Sequence, residues 1–393
     1  MSTRRTALAA SAVLLVLGSA GVLSTAGADP RRALLGWIAA FGFGLGTSLG
    51  ALILAMVLQV TNARWPVVVR PAVMAIASTT PLFALLFVPI ALGMRLAYPW
   101  AHPGADVVAG AHASAVSLAH QRLWQTPAFF LARAALCLAT WSALSLALGR
   151  ADARHDRAPT EATACARRRI SAAGLPILAL TMTFASFDWF MAVDPGWVSD
   201  MYGLYFFSGG LASAVALVAI VAWAGARTGH DATATLPGPS HFHAIGRLML
   251  MGTILWAYIA FFQFLLVWIA NLPREVGFYA VRAENGYQVV DYVLVFGRFV
   301  VPFLVLLSRE LKFKPAALAA VALWLVLMDA VDFAWLVLPR AGGGPRVLDS
   351  APFLVVSALA VGLGVLRSGT RYGPSHPSDR DPWLAESMRY TSP

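Results

Sequence analysis

Residues Phe184–Phe207 read FASFDWFMAVDPGWVSDMYGLYFF. The segment lies between two long apolar runs, yet it carries Asp188, Asp194 and Asp200. Acids inside or at the mouth of a membrane helix cost free energy, so their placement asks for a reason. Asp188 falls well inside the first run. Asp194 opens Asp194-Pro195-Gly196, a turn sequence between Trp189 and Trp197. One apolar helix therefore ends here and another begins, which is a membrane hairpin.

Composition extends that reading to the whole chain. Of 393 residues, 59% are hydrophobic and only 12% charged, with a mean hydropathy of +0.70. A soluble domain carries roughly twice that charge, so the class is a polytopic membrane protein. The net charge of +10 comes from basic residues confined largely to connections between apolar runs. It reads as a topology signal and argues against a nucleic-acid partner. Two cysteines, Cys137 and Cys165, are too few for a disulfide framework, an iron–sulfur cluster or a zinc site. No CxxCH motif offers covalent attachment to haem.

Ten runs are long enough to cross a hydrocarbon core of about 30 Å: Ala7–Leu23, Leu34–Val60, Pro71–Ala97, Pro127–Leu148, Leu175–Val193, Met201–Ala224, Leu248–Ala270, Asp291–Ser308, Pro315–Trp335 and Pro352–Leu366. They make residues 1–367 one transmembrane domain, with 368–393 a polar cytoplasmic tail lying loosely along the inner face. The first run has two readings. Arg4 and Arg5, the apolar stretch and Ala26-Gly27-Ala28 resemble a signal peptide with its cleavage site, and Ser2-Thr3-Arg4-Arg5 partly matches a twin-arginine signal. Retention as a first span is the other. Lys and Arg divide about 19 to 8 between the two sides, six of them within Arg150–Arg169. The richer side, with both termini, is read as cytoplasmic.

Other features carry less. His102, His112 and His120 lie in the external connection Tyr98–Thr126 without tight ligand spacing. Gly42, Gly46 and Gly50 recur every four residues inside the second run. That spacing prepares a face for close helix approach and is no nucleotide loop, since no strand precedes it.

Charges within the runs are more informative. At about 1.5 Å per residue, Asp188 lies roughly 20 Å from the inner end of its helix, Gln263 roughly 22 Å, and Asp329 and Asp332 roughly 21 and 26 Å. Arg133 and Arg298 enter from outside, about 9 and 10 Å down. All six fall in or near the outer third of the membrane, and Asp329 and Asp332, spaced i,i+3, share a helix face. Two readings follow. Arginines pair with aspartates and only fix helix positions, or the set forms a polar pocket or proton path open to the outside. Asp188, Asp194, Gln263, Asp329 and Asp332 are the candidate proton path, with Arg298 the first choice of charge partner and Arg133 the second. Asn271 is a candidate quinone-site residue. Turn duty equally explains Asp194, and a helix end equally explains Asn271. Trp189, Trp197, Tyr202 and Tyr205 fit an interfacial aromatic belt.

Ser186-Phe187-Asp188-Trp189, Met191, Asp194-Pro195, Trp197, Gly203, Tyr205 and Gly209, in that order, resemble one family. Trp256-Ala257-Tyr258-Ile259-Ala260-Phe261 follows, then Gln263, Trp268 and Ala270-Asn271-Leu272-Pro273. Pro302-Phe303, Leu307-Ser308-Arg309 and Lys312, and finally Asp332, Trp335 and Pro339, continue the match. The family is the ActF-like (second NrfD-like) membrane subunit of bacterial alternative complex III, a quinol:cytochrome c oxidoreductase. The resemblance spans most of the chain from the second run onward.

It implies an all-α fold of about ten transmembrane helices. Two central four-helix bundles of the NrfD/polysulfide-reductase membrane-subunit type, about 34–193 and 201–335, have a flanking helix at each end. The implied setting is the bacterial inner membrane, within a respiratory or photosynthetic electron-transport chain. The implied partners are a paralogous NrfD-like membrane subunit, an iron–sulfur subunit, and multihaem and monohaem cytochromes c. Those partners would carry haem c and the Fe–S clusters. This chain would contribute structure, and a quinone/quinol site or a proton path near the outer face, without being catalytic alone. Two other readings stay open: a secondary transporter whose intramembrane charges bind substrate, and a purely structural membrane scaffold.

Overall fold

In a computed structural model the described residues are 2–101, 124–194, 197–228, 237–368 and 381–392, and every regular element among them is helical. His102, His112 and His120 lie outside them. Ten helices are long and apolar enough to cross a membrane. They are α1 Arg5–Ala28, α2 Pro30–Val60, α3 Arg70–Leu92, α4 Pro127–Arg157, α5 Glu161–Val193, α6 Tyr202–Arg227, α7 Pro239–Ala270, α8 Tyr287–Leu307, α9 Pro315–Ala341 and α10 Val347–Leu366. Each run marked in the sequence corresponds to one helix. Leu180, Phe261, Trp268 and Leu327 are among many large apolar side chains left exposed, a surface whose natural solvent is lipid. The chain is a multi-pass membrane protein.

α2, α3, α4 and α5 form one four-helix bundle, and α6, α7, α8 and α9 a second; α2 joins them by packing on α6 and α9. The recurrent glycines explain the joint. A side chain at Gly50 would overlap the carbonyl of Gly210, and one at Gly210 would overlap that of Gly46. Backbone lies against backbone, as small residues at four-residue spacing permit. Gly42 accommodates the rings of Phe190 and Phe333 instead. The flanking helices α1 and α10 meet one another, with Ala351 and Val355 of α10 seated over Gly21 and Gly18 of α1.

Three local features differ from the sequence reading. α3 is broken into short helical pieces at 70–77, 82–86 and 88–92, because Pro81 and Pro89 each remove a backbone donor. A hydroxyl supplements the carbonyl that Pro81 cannot serve: Ser145 donates to Ala77 O at 2.8 Å. The basic stretch Arg150–Arg169 is mostly helix, since α4 continues to Arg157 and α5 starts at Glu161 under a Thr160 cap. The described part of the tail is packed in place. Residues 381–392 dock on the basic side, where Tyr390 stacks on Trp65 with ring centroids 5.8 Å apart. There Ser387 donates to Trp65 O at 2.7 Å, and Ser392 bonds His243 at 2.6 Å. The sequence reading missed this because the acceptors for the tail exist only once α2, α3 and α7 are assembled.

Candidate functional site

The second bundle buries a charge cluster on two of its helices. α8 supplies Arg298 and α9 supplies Asp329 and Asp332, all at most 3% exposed. Arg298 Nη2 donates to Asp329 Oδ1, and Nη1 lies 2.8 Å from Asp332 Oδ2. Tyr205 of α6 donates its hydroxyl to Asp332 Oδ1 at 2.6 Å, and Trp256 Nε1 of α7 donates to Oδ2 at 3.2 Å. The guanidinium lies over the Trp256 ring, 4.3 Å from its centroid. Gly209 leaves the space: a Cβ there would stand 3.1 Å from both Arg298 Nη2 and Asp329 Oδ1.

The backbone is specialised at this point. Val293–Val300 of α8 is a π-helix, in which Val301 donates to Phe296 O. In that register the next donor, for Gly297 O, belongs to residue 302, which is proline. Trp324 Nε1 replaces it, bonding Gly297 O at 2.6 Å. The widened turn aims Arg298 at the two acids, and such turns occur often at functional sites.

The cluster is incompletely satisfied. Asp332 has partners on both oxygens, whereas Asp329 Oδ2 is buried without one. Asp329 also lines a cavity, together with Ser213, Thr253, Trp256 and Arg298, that has about 10 Å³ open to the centre of a solvent molecule. That is about one water. Ser213 connects onward, accepting from Thr47 of α2 at 3.2 Å. Two carboxyls therefore face one guanidinium. The group carries one excess negative charge, or one proton.

The remaining candidates do not join this cluster. Asp188 forms a separate clasp with α4. Arg133 Nε donates to Asp188 Oδ2 at 2.6 Å and Nη2 to Oδ1 at 3.0 Å, while Trp124 Nε1 adds a bond to Oδ1 at 2.8 Å. The Arg133 guanidinium lies 4.1 Å from the Trp124 ring centroid. Asp194 accepts from Arg340 at the end of α9, Nε at 2.8 Å and Nη2 at 2.5 Å. It also closes a turn, Trp197 N donating to Asp194 O at 3.1 Å. Gln263 accepts from Ser199 at 3.1 Å, near Tyr279 of the short helix Pro273–Arg282. Burial pushes the Tyr279 phenol up to about 12. Asn271 is exposed and ends α7 with φ 46°, its N–H bonded to Val267 O, the left-handed cap that asparagine tolerates. Similar depth thus corresponds to several separate sites.

Four aromatic residues are placed otherwise than the sequence reading had them, and three arginines had no part in it. Trp189, Trp197, Tyr202 and Tyr205 are at most 5% exposed, so they belong to the bundle interior rather than to a belt. Arg282 is fully buried. It donates to Trp335 O at 3.1 Å and Leu336 O at 2.6 Å, a cationic cap on the last turn of α9, and its guanidinium rests 3.4 Å over the Phe278 ring. Burial lowers Arg282 to about 10, which leaves it charged at neutral pH. Arg32 chelates Asp349 at 2.8 and 2.6 Å and donates to Gly342 O and Gly344 O. One available signal was polarity inside an apolar run, which marked Arg298. Arg32, Arg282 and Arg340 sit in the connections between runs, where a topological charge looks the same. Among the described residues no three His, Cys, Asp or Glu side chains gather as a metal-binding group. Compared with family models and with curated proteins, the chain finds no match.

Proposed function

We propose that this chain is a membrane subunit of a quinol:cytochrome c oxidoreductase assembly of the ActF-like type, and that its Arg298–Asp329–Asp332 cluster holds and passes a proton. The observation that carries the proton role is Asp329 on the wall of a water-sized cavity, with one of its carboxyl oxygens buried and without a hydrogen-bond partner. A purely structural pair would close both carboxylates, as Arg133 closes Asp188. Quinol oxidation releases two protons and two electrons. Electrons would pass to haem and iron–sulfur centres on partner subunits, and carboxyl groups and water in this chain would take protons.

The route has a local logic. A proton arriving on Asp329 cancels the excess charge of the cluster, which lowers the cost of keeping it out of water. Asp332, held by Tyr205, Trp256 and Arg298, keeps the guanidinium in place while Asp329 exchanges with the cavity. Asp188 and Asp194 serve as clasps between helices. The proposed setting is the bacterial inner membrane with the basic side cytoplasmic, which the 19-to-8 division of Lys and Arg supports. The ordered matches from Ser186 to Pro339 support the subunit assignment.

The test uses the assembly purified from its native membrane. Haem-bearing partners are expected to accompany the chain, and quinol oxidation to fall about a hundredfold or more in Asp329→Asn, a typical share for positioned proton transfer, with assembly intact. Normal turnover and normal proton release by an assembled Asp329→Asn complex overturns the relay. A chain that purifies without haem-bearing partners overturns the subunit reading and favours the transporter, which the interrupted α3 also suits.

A further inference from the structure

A second polar site lies on the basic side, at the other end of the spans from the Asp188 and Asp194 clasps. The end of α2, the start of α3, the start of α5 and the docked tail wall a cleft with about 50 Å³ open to the centre of a solvent molecule. That is room for several waters or one phosphate-sized group. Its floor is apolar, from Ala55, Leu58, Val73 and Met74, where two membrane spans end. Its rim is cationic, from Arg70, Arg167 and Arg168.

These arginines are unequally committed. Arg70 is consumed: it pairs with Asp156, with Asp381 at 2.8 Å and with Asp152 at 3.4 Å. Arg167 gives Nη1 to Asp152 at 2.9 Å, but its Nε is buried without a partner in a side chain only 5% exposed. Arg168 donates to Asn62 at 3.1 Å and, among the described residues, to no carboxylate. Asp152, Asp156 and Asp381 together balance Arg70, Arg167 and Arg168 in number, so what is left for an anion is the donors that no carboxylate takes, Arg167 Nε and the Arg168 guanidinium. Trp383 completes the wall, held under Arg64 at 3.8 Å from its ring centroid.

We infer that this cleft binds the phosphate headgroup of an anionic phospholipid. Arg167 Nε and Arg168 supply donors to the phosphate oxygens, and the acyl chains continue down the apolar ends of α2 and α3. Basic pockets between spans, on the side richer in Lys and Arg, meet anionic lipid at that depth. An indole at the membrane boundary suits the same position. The inference is independent of the redox reading and holds for a transporter or a scaffold alike.

The full-length chain in neutral detergent, titrated with phosphatidylglycerol, phosphatidylcholine or inorganic phosphate and followed by native mass spectrometry, tests it. One phosphatidylglycerol per chain is expected to be retained in preference to phosphatidylcholine. Arg168→Gln, at an exposed position, is expected to weaken retention about fivefold, the worth of one cation near an anionic headgroup. Ala164→Trp fills the cleft while leaving all three arginines, and is expected to abolish retention. Equal retention of both lipids, or unchanged retention in Ala164→Trp, overturns the inference. Binding of inorganic phosphate that depends on Arg168, without retention of phosphatidylglycerol, makes the occupant a free anion and overturns the lipid assignment.

Discussion

At the residue scale the acids divide by how completely their oxygens are used. Asp188 and Asp332 have partners on both oxygens, and Asp329 on one. Removing one member of a buried pair strands the other, at a cost of about 3–5 kcal/mol. Arg298→Met is therefore expected to destabilise the protein by that order, since two carboxyls lose their cation. Thermal unfolding in detergent would show it, and a shift no larger than that of a surface arginine such as Arg168→Met would remove the cluster from the fold's support. Asp188→Asn should cost less, about 1–3 kcal/mol, because Arg133 keeps Trp124 O at 2.8 Å and two aromatic faces. The double variant Asp188→Asn/Arg133→Met should be less destabilised than the sum of its parts. Strict additivity would mean that the two side chains do not couple.

At the element scale, the spans show why some features were legible and others were not. Each span announces itself by a local run of apolar residues, so all ten could be marked without knowing their neighbours. The glycines of α2 were legible for the same reason: Gly42, Gly46 and Gly50 declare a close-packing face by spacing alone, though not that Gly210 of α6 would be the partner. The π-turn in α8 was not legible, because nothing in Val293–Val300 separates it from an ordinary apolar helix until Trp324 is seen to satisfy Gly297 O. Two measurements follow. Gly210→Ala should cost about 1–3 kcal/mol by forcing α2 and α6 apart, and a neutral result would contradict the backbone contact with Gly46. Trp324→Phe leaves Gly297 O unpaired within the membrane, at about 1–3 kcal/mol. Unaltered stability there would mean that another donor serves that carbonyl.

Over the whole molecule, long-range ion pairs fasten chain segments that hydropathy cannot relate. Arg32 reaches Asp349 across 317 positions, and Arg340 reaches Asp194 across 146. Tertiary assembly alone creates those pairs, so a reading by depth grouped the intramembrane acids into one set that the fold divides. The tail is the clearest case. Its Ser-, Pro- and Arg-rich composition predicts a loose segment, but Asp381 enters the Arg70 group and Ser387 is wholly buried. Ending the chain before Asp381 is expected to lower the unfolding temperature and to open Arg70 and Trp65 to solvent, seen as faster proteolysis between α2 and α3. Unchanged protection of that connection would show that the docked segment contributes nothing to the fold.

The π-turn of α8 also bears on how this protein tolerates insertion and deletion. Such a turn is an α-helix with one residue too many, so the length of the segment, more than its residue types, orients what precedes and follows it. Deleting one position between Val293 and Val300 would restore an uninterrupted helix and turn one half against the other by about 100°. Arg298 would swing away from Asp329 and Asp332 although every charged residue survived. A related chain could therefore keep all three residues of the cluster and still lack its geometry, with a gap of one position as the only trace.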